Sequence, residues 1–155
     1  MDPGEKAEEL RRARKTAALI GVTVIVSLAI YLVIVEVIRS TLGPFTGFAR
    51  IRNMLPVRYL FYGAAVVGVI AARLLQQVLL KARPGDDEKT TIHKLSRTAI
   101  VTLTLSELPA ALGLVLFLLS GLNRDFYILL FVSLFLVFMY FPRLSSWKDW
   151  LARRR

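Results

Sequence analysis

Glu107 is the residue of this chain whose placement most demands a chemical explanation. It stands in LSELPAALGLVLFLLSG (105–121), apolar almost from end to end, and Pro109 follows two residues later. Counting from Arg97, with a rise of 1.5 Å per residue, it lies roughly 15 Å into its helix, about half the hydrocarbon thickness of a bilayer. A charge at that depth costs about 2.5–3.5 kcal/mol on insertion scales, so the group must be protonated, paired or beside water. Burial favours the neutral acid and a nearby cation favours the carboxylate, so reversible binding of a proton or a cation is chemically accessible. The competing reading is a carboxyl that hydrogen-bonds a neighbouring helix and merely holds the bundle together.

Arg73 is the candidate partner. It precedes Lys81 by eight residues, roughly 12 Å deep, and in an antiparallel hairpin it comes nearly level with Glu107. It either pairs with the acid or snorkels away and leaves it alone. Gln76 and Gln77, one turn closer to the helix end, could add polar contacts. Pro109 frees the carbonyl of Leu105, and the hydroxyls of Thr102, Thr104 and Ser106 stand close enough in sequence to serve groups opened there. Ser106 and Thr104 precede Glu107 by one and three residues and are candidate members of an ion site. Glu36 lies three residues from Arg39 at the outer end of its span, and interfacial solvation or that pair accounts for it.

The elements that must position these residues are four apolar spans: 16–38, 59–80, 98–119 and 126–141. The chain of 155 residues is 55% hydrophobic, more than a soluble domain needs, because soluble helices keep a wet face. The first run is too long for a signal core and no small-x-small cleavage pattern follows it, so it reads as a retained helix. The fourth is short, but its aromatic ends suit the interfaces. The sequence holds no cysteine and one histidine, His93, in a polar connector, so thiolate and histidine-rich metal sites are excluded. No nucleophile–base pair or phosphate-binding glycine loop is present, and neither an enzyme nor a cofactor is expected.

Lysine and arginine set the orientation. Fifteen of the 21 fall in the N-terminal tail, the 81–97 connector and the C-terminal tail, whereas five fall on the other side. This bias predicts cytoplasmic termini in a multi-pass protein of the cell membrane. The net charge of +10 flanks the apolar runs instead of lining one face, so anionic headgroups, not nucleic acid, are the expected partner. Residues 1–15 read as a basic cytoplasmic extension in which EKAEELRRARK prolongs the first helix, helped by Glu8 and Arg12 at i,i+4. Phe45, Phe48, Ile51 and Leu55 recur at helical spacing and suit a short interfacial helix, with a loop as the alternative. Trp147 and Trp150 make 142–155 an interfacial cytoplasmic tail.

Small residues predict the packing. Ala64, Gly68 and Ala72 form one stripe on the second span, and Thr102, Ser106, Ala110 and Gly113 form another on the third, which allows close backbone approach. The expected fold is therefore an all-α membrane protein of one domain, 1–155. It has four transmembrane helices, a tight central hairpin of the second and third spans, and lipid-facing first and fourth spans.

The stretch 59–119 resembles the c subunit, or proteolipid, of rotary ATP synthases. In SRTAIVTLTLSELPAALGLVLFLL (96–119), Glu107 falls on that family's membrane carboxylate, Pro109 on its proline and Gly113-Leu114-Val115 on the run that follows. LLKARPGDDEK is similar to its polar loop through Arg83 and Pro84. The resemblance implies a hairpin that assembles into a ring and binds a proton at Glu107. The chain departs from the pattern in having few glycines on its second span, Arg73, two further spans and Leu108 where sodium-type sites carry a hydroxyl. Three functions follow: a proteolipid-like, oligomeric protein with an ion site at Glu107; an accessory or assembly subunit of a larger membrane complex, in which Glu107 and Arg73 are structural; and a small secondary transporter.

Overall fold

The computed structural model describes residues 3–49, 53–79 and 88–141, and is all-helical there. Helix α1 spans Pro3–Thr41, α2 Met54–Leu79, α3 Glu88–Ser120 and α4 Asn123–Tyr140. Each is long and apolar enough to cross a membrane, the apolar parts being Arg11–Thr41, Met54–Leu79, Lys94–Ser120 and Asn123–Tyr140. The basic extension does continue α1, with Pro3 at its first position, where a missing N–H costs nothing. Arg12 meets Glu8 at 3.6 Å on the exposed surface. Trp147, Trp150 and the 80–87 connector with Arg83 and Pro84 lie outside the described residues.

The hub is α3. It packs against α1, α2 and α4, whereas α2 touches little but α3. The first and fourth spans are thus not simply lipid-facing. On α1 a stripe at helical spacing, Ala17, Val24, Leu28 and Val35, is buried, and Val24 and Leu28 join Leu103, Ala110 and Val137 in one cluster. On α4, Phe126 meets Val35 and Phe117. Leu, Val and Ile suit lipid and protein contacts equally, so composition alone cannot tell the two apart.

Two devices let α3 bury polar groups. Thr98, Thr102 and Ser106 donate to the carbonyls of Lys94, Thr98 and Thr102 at 2.7, 2.8 and 2.7 Å, so each hydroxyl is satisfied within its own helix. Beside Pro109, the backbone N–H of Ala110 donates to Ser133 Oγ of α4 at 2.8 Å. The small stripe on α3 accordingly serves α4: a side chain on Gly113 would press on Leu129 and on the backbone of Phe126. On α2 the contact face is Ala65, Gly68 and Ala72, and Ala64 is exposed one position away from the place expected for it.

Ile51 lies outside the described residues and Leu55 belongs to α2, while Phe45 and Phe48 stand in the segment 42–49, which follows the loop alternative and not the helix. This segment lies across the end of α3, where Phe48 and Ala49 donate N–H groups to the carbonyls of Leu118 and Leu119 at 2.8 and 3.1 Å. Those carbonyls have no partner within their own helix, so the loop closes α3. Gly121, at φ 69°, donates to Phe117 O at 2.7 Å and turns the chain directly into α4. Phe45 packs its ring on Phe48 and Phe117 at 5.1 and 5.2 Å, while Phe48 itself stays exposed.

Candidate functional site

Because α1 and α2 both pack on α3 without substantial contact with each other, a strip of α3 stays open between them. Thr104, Leu105, Glu107, Leu108 and Ala111 line a shallow slot there of about 280 Å³. Its lining is apolar apart from Thr104 and Glu107. Thr104 spends its hydroxyl on the Ile100 carbonyl at 3.0 Å.

Glu107 is half-buried on the α1 side of this slot, and Tyr31 of α1 donates its hydroxyl to Oε1 at 2.5 Å. A short O–H···O contact of this kind is the strong type formed to a charged acceptor, and a phenol serves a carboxylate well. The second oxygen has no partner among the described residues, and Glu107 is part of the slot's lining. One carboxyl with a single hydroxyl donor suits a proton or a singly charged cation.

Arg73 does not complete this site. Gly68 faces Leu108, whose Cδ2 would lie 2.5 Å from a Cβ placed on that glycine, and Leu108 lines the slot. Five residues further along α2 is a rotation of roughly 140°, so Arg73 emerges on the opposite flank. It is exposed, and among the described residues it has no ion-pair or hydrogen-bond partner. Gln77 is exposed and Gln76 half-buried, and neither reaches Glu107. Ser106 is fully buried and committed to the Thr102 carbonyl, so it points away from the slot. The three hydroxyls near Pro109 serve carbonyls one turn back, not that of Leu105.

Sequence reasoning missed two residues. Tyr31 is one, and its signal was a lone phenol in the apolar heart of the first span. Asp125 is the other: in the first turn of α4 it is 1% exposed, and it accepts from Arg58 Nη2 at 2.7 Å and from the Tyr62 hydroxyl at 2.9 Å. Its signal was an acid directly before the apolar run of the fourth span, next to Arg124. Glu36 and Arg39 do pair, at 3.2 Å, and Tyr127 of α4 hydrogen-bonds to both. Thus polar clasps gather at the end where α1 and α3 finish, while Glu107 stands apart in the slot. No family model, curated protein or solved structure matches the chain.

Proposed function

We propose that this is a proteolipid-like integral membrane protein, with cytoplasmic termini, that oligomerises through its α2–α3 hairpin and binds a proton or a small cation at Glu107. The observation that carries this reading is the half-buried Glu107, held by Tyr31 through one oxygen and lining an apolar, laterally accessible slot. A carboxyl in such a place gains or loses charge only with a large change in solvation, so its occupancy by a proton is tied to what stands opposite it. The resemblance of 96–119 to a proteolipid helix adds to this, since Glu107 and Pro109 fall on that family's carboxylate and proline. A hydrophobic carbodiimide tests it: Glu107 is modified in a pH-dependent way in the membrane, and Glu107→Gln abolishes the labelling. Absence of labelling at every pH argues against a protonatable site.

A second reading, the accessory subunit, is favoured by a different observation. Tyr31–Glu107, Ala110–Ser133 and Arg58–Asp125 each bridge two helices. In that reading Glu107→Gln leaves any activity of the complex intact and lowers only the stability of the bundle.

A further inference from the structure

Among the described residues, Arg73 is exposed on the apolar surface of α2, and the half-buried Glu107 lines the slot on α3. They have opposite charge and stand on opposite flanks of α2. From this we infer that a second copy of the chain occupies the slot, and that Arg73 of one copy pairs with Glu107 of the next.

Depth supports the match. Copies inserted in the same direction in one bilayer keep their residues at common levels. Gly68 is level with Leu108, so Arg73 lies ~7.5 Å and Glu107 ~1.5 Å toward the termini from that level. The ~6 Å between them along the membrane normal is within the reach of an extended arginine side chain.

Shape supports it too. Tyr59, Gly63, Val66, Ile70, Arg73 and Gln77 alternate at intervals of four and three, and all six are exposed. That is the seam a helix presents to another helix, not to its own bundle, where Ala65, Gly68 and Ala72 do the work. Gly63 has open space around it, which lets another backbone come close. Across the slot, Thr104, Leu108, Ala111 and Val115 offer a complementary strip on α3, set back between two flanking helices. Such a contact is heterologous, one flank of α2 against the slot on the other, so it repeats from copy to copy and gives a ring if the rotation closes.

Two costly intramembrane charges are thereby explained by one contact. The inference rests on Glu107 being the ionisable group of the slot, as proposed above: a carboxylate accepts the guanidinium, whereas a protonated acid does not.

The absence of cysteine allows a direct test. Val66→Cys is placed in one tagged copy and Ala111→Cys in a differently tagged copy; the two positions share a level, and both are co-expressed in membranes and oxidised. The inference predicts a mixed disulfide that is absent when Phe135→Cys, on the exposed face of α4, replaces Val66→Cys. Arg73→Glu or Glu107→Arg alone should cut the yield about tenfold or more, because like charges then meet in oil, and mixing the two charge-reversed chains should restore it. A yield no higher than the Phe135→Cys control, or one indifferent to charge reversal, overturns the inference. Carbodiimide labelling of Glu107 in an Arg73→Gln chain is read in parallel: pH-dependent labelling without cross-linking removes the second copy and leaves the proton site standing, whereas no labelling removes the proton site itself.

Discussion

Arg58 Nη2 and Asp125 Oδ1 stand 2.7 Å apart, joining the start of α2 to the start of α4 across the end of the hub helix. Asp125 is almost wholly removed from solvent, while the Arg58 side chain is 42% exposed. Apart from this clasp and its Tyr62 hydroxyl, α2 is held among the described residues by its packing on α3. Removing one member of a buried pair costs about 3–5 kcal/mol, and the hydrated arginine places Arg58→Ala at or below the lower end of that range. Asp125→Ala should cost less than Arg58→Ala, because it leaves no buried anion behind. Thermal unfolding of both single variants and of the double variant checks this: the double should be no worse than Arg58→Ala alone.

Ser133 gives a second, independent prediction. Its hydroxyl is the partner of the Ala110 N–H next to Pro109, in a fully buried contact between α3 and α4. Ser133→Ala should destabilise by about 1–3 kcal/mol, the penalty for an unsatisfied buried donor. Glu107 labelling should be unchanged, since Ser133 faces the other side of α3. Unfolding midpoints and labelling measured on the same preparation separate the two effects.

The short connectors should respond to substitution in a graded way. Gly43, Gly47 and Gly121 all adopt positive φ, but they differ in what a side chain would meet. A Cβ at Gly47 would run into the Leu119 carbonyl and one at Gly121 into the Phe45 carbonyl, both of them backbone, whereas Gly43 has open space. Gly43→Ala should therefore cost only the left-handed backbone penalty of about 1–2 kcal/mol. Gly47→Ala and Gly121→Ala should cost more, and they should loosen the loop from α3. Protease sensitivity of the 42–49 segment in intact membranes reports the difference.

Four helices and their approximate bounds were legible in the sequence, because length and hydropathy act locally along the chain. The ends were less so: α3 begins at Glu88, well before the apolar run, since polar residues can be helical in water. Packing partners were not legible. The stripe through Ser106, Ala110 and Gly113 marked a close approach correctly, but it faces α4 and not α2, and a stripe carries no address for its partner. Tyr31 and Asp125 escaped for the same reason: a phenol or an acid near one helix becomes meaningful only when another helix supplies the opposite group. Arg73 and Glu107 matched in depth along their helices, yet the rotation between Gly68 and Arg73 separates them within one chain.

We propose that Glu107 takes up and releases a proton beside the slot while Tyr31 holds one of its oxygens. Infrared difference spectra of the protein in lipid, recorded as pH is stepped across the range in which the fold survives, test this most directly. A protonated-carboxyl band should appear on acidification, vanish in Glu107→Gln and change position in Tyr31→Phe, where the phenolic donor is lost. Identical difference spectra for the unmodified chain and Glu107→Gln at every pH would contradict it.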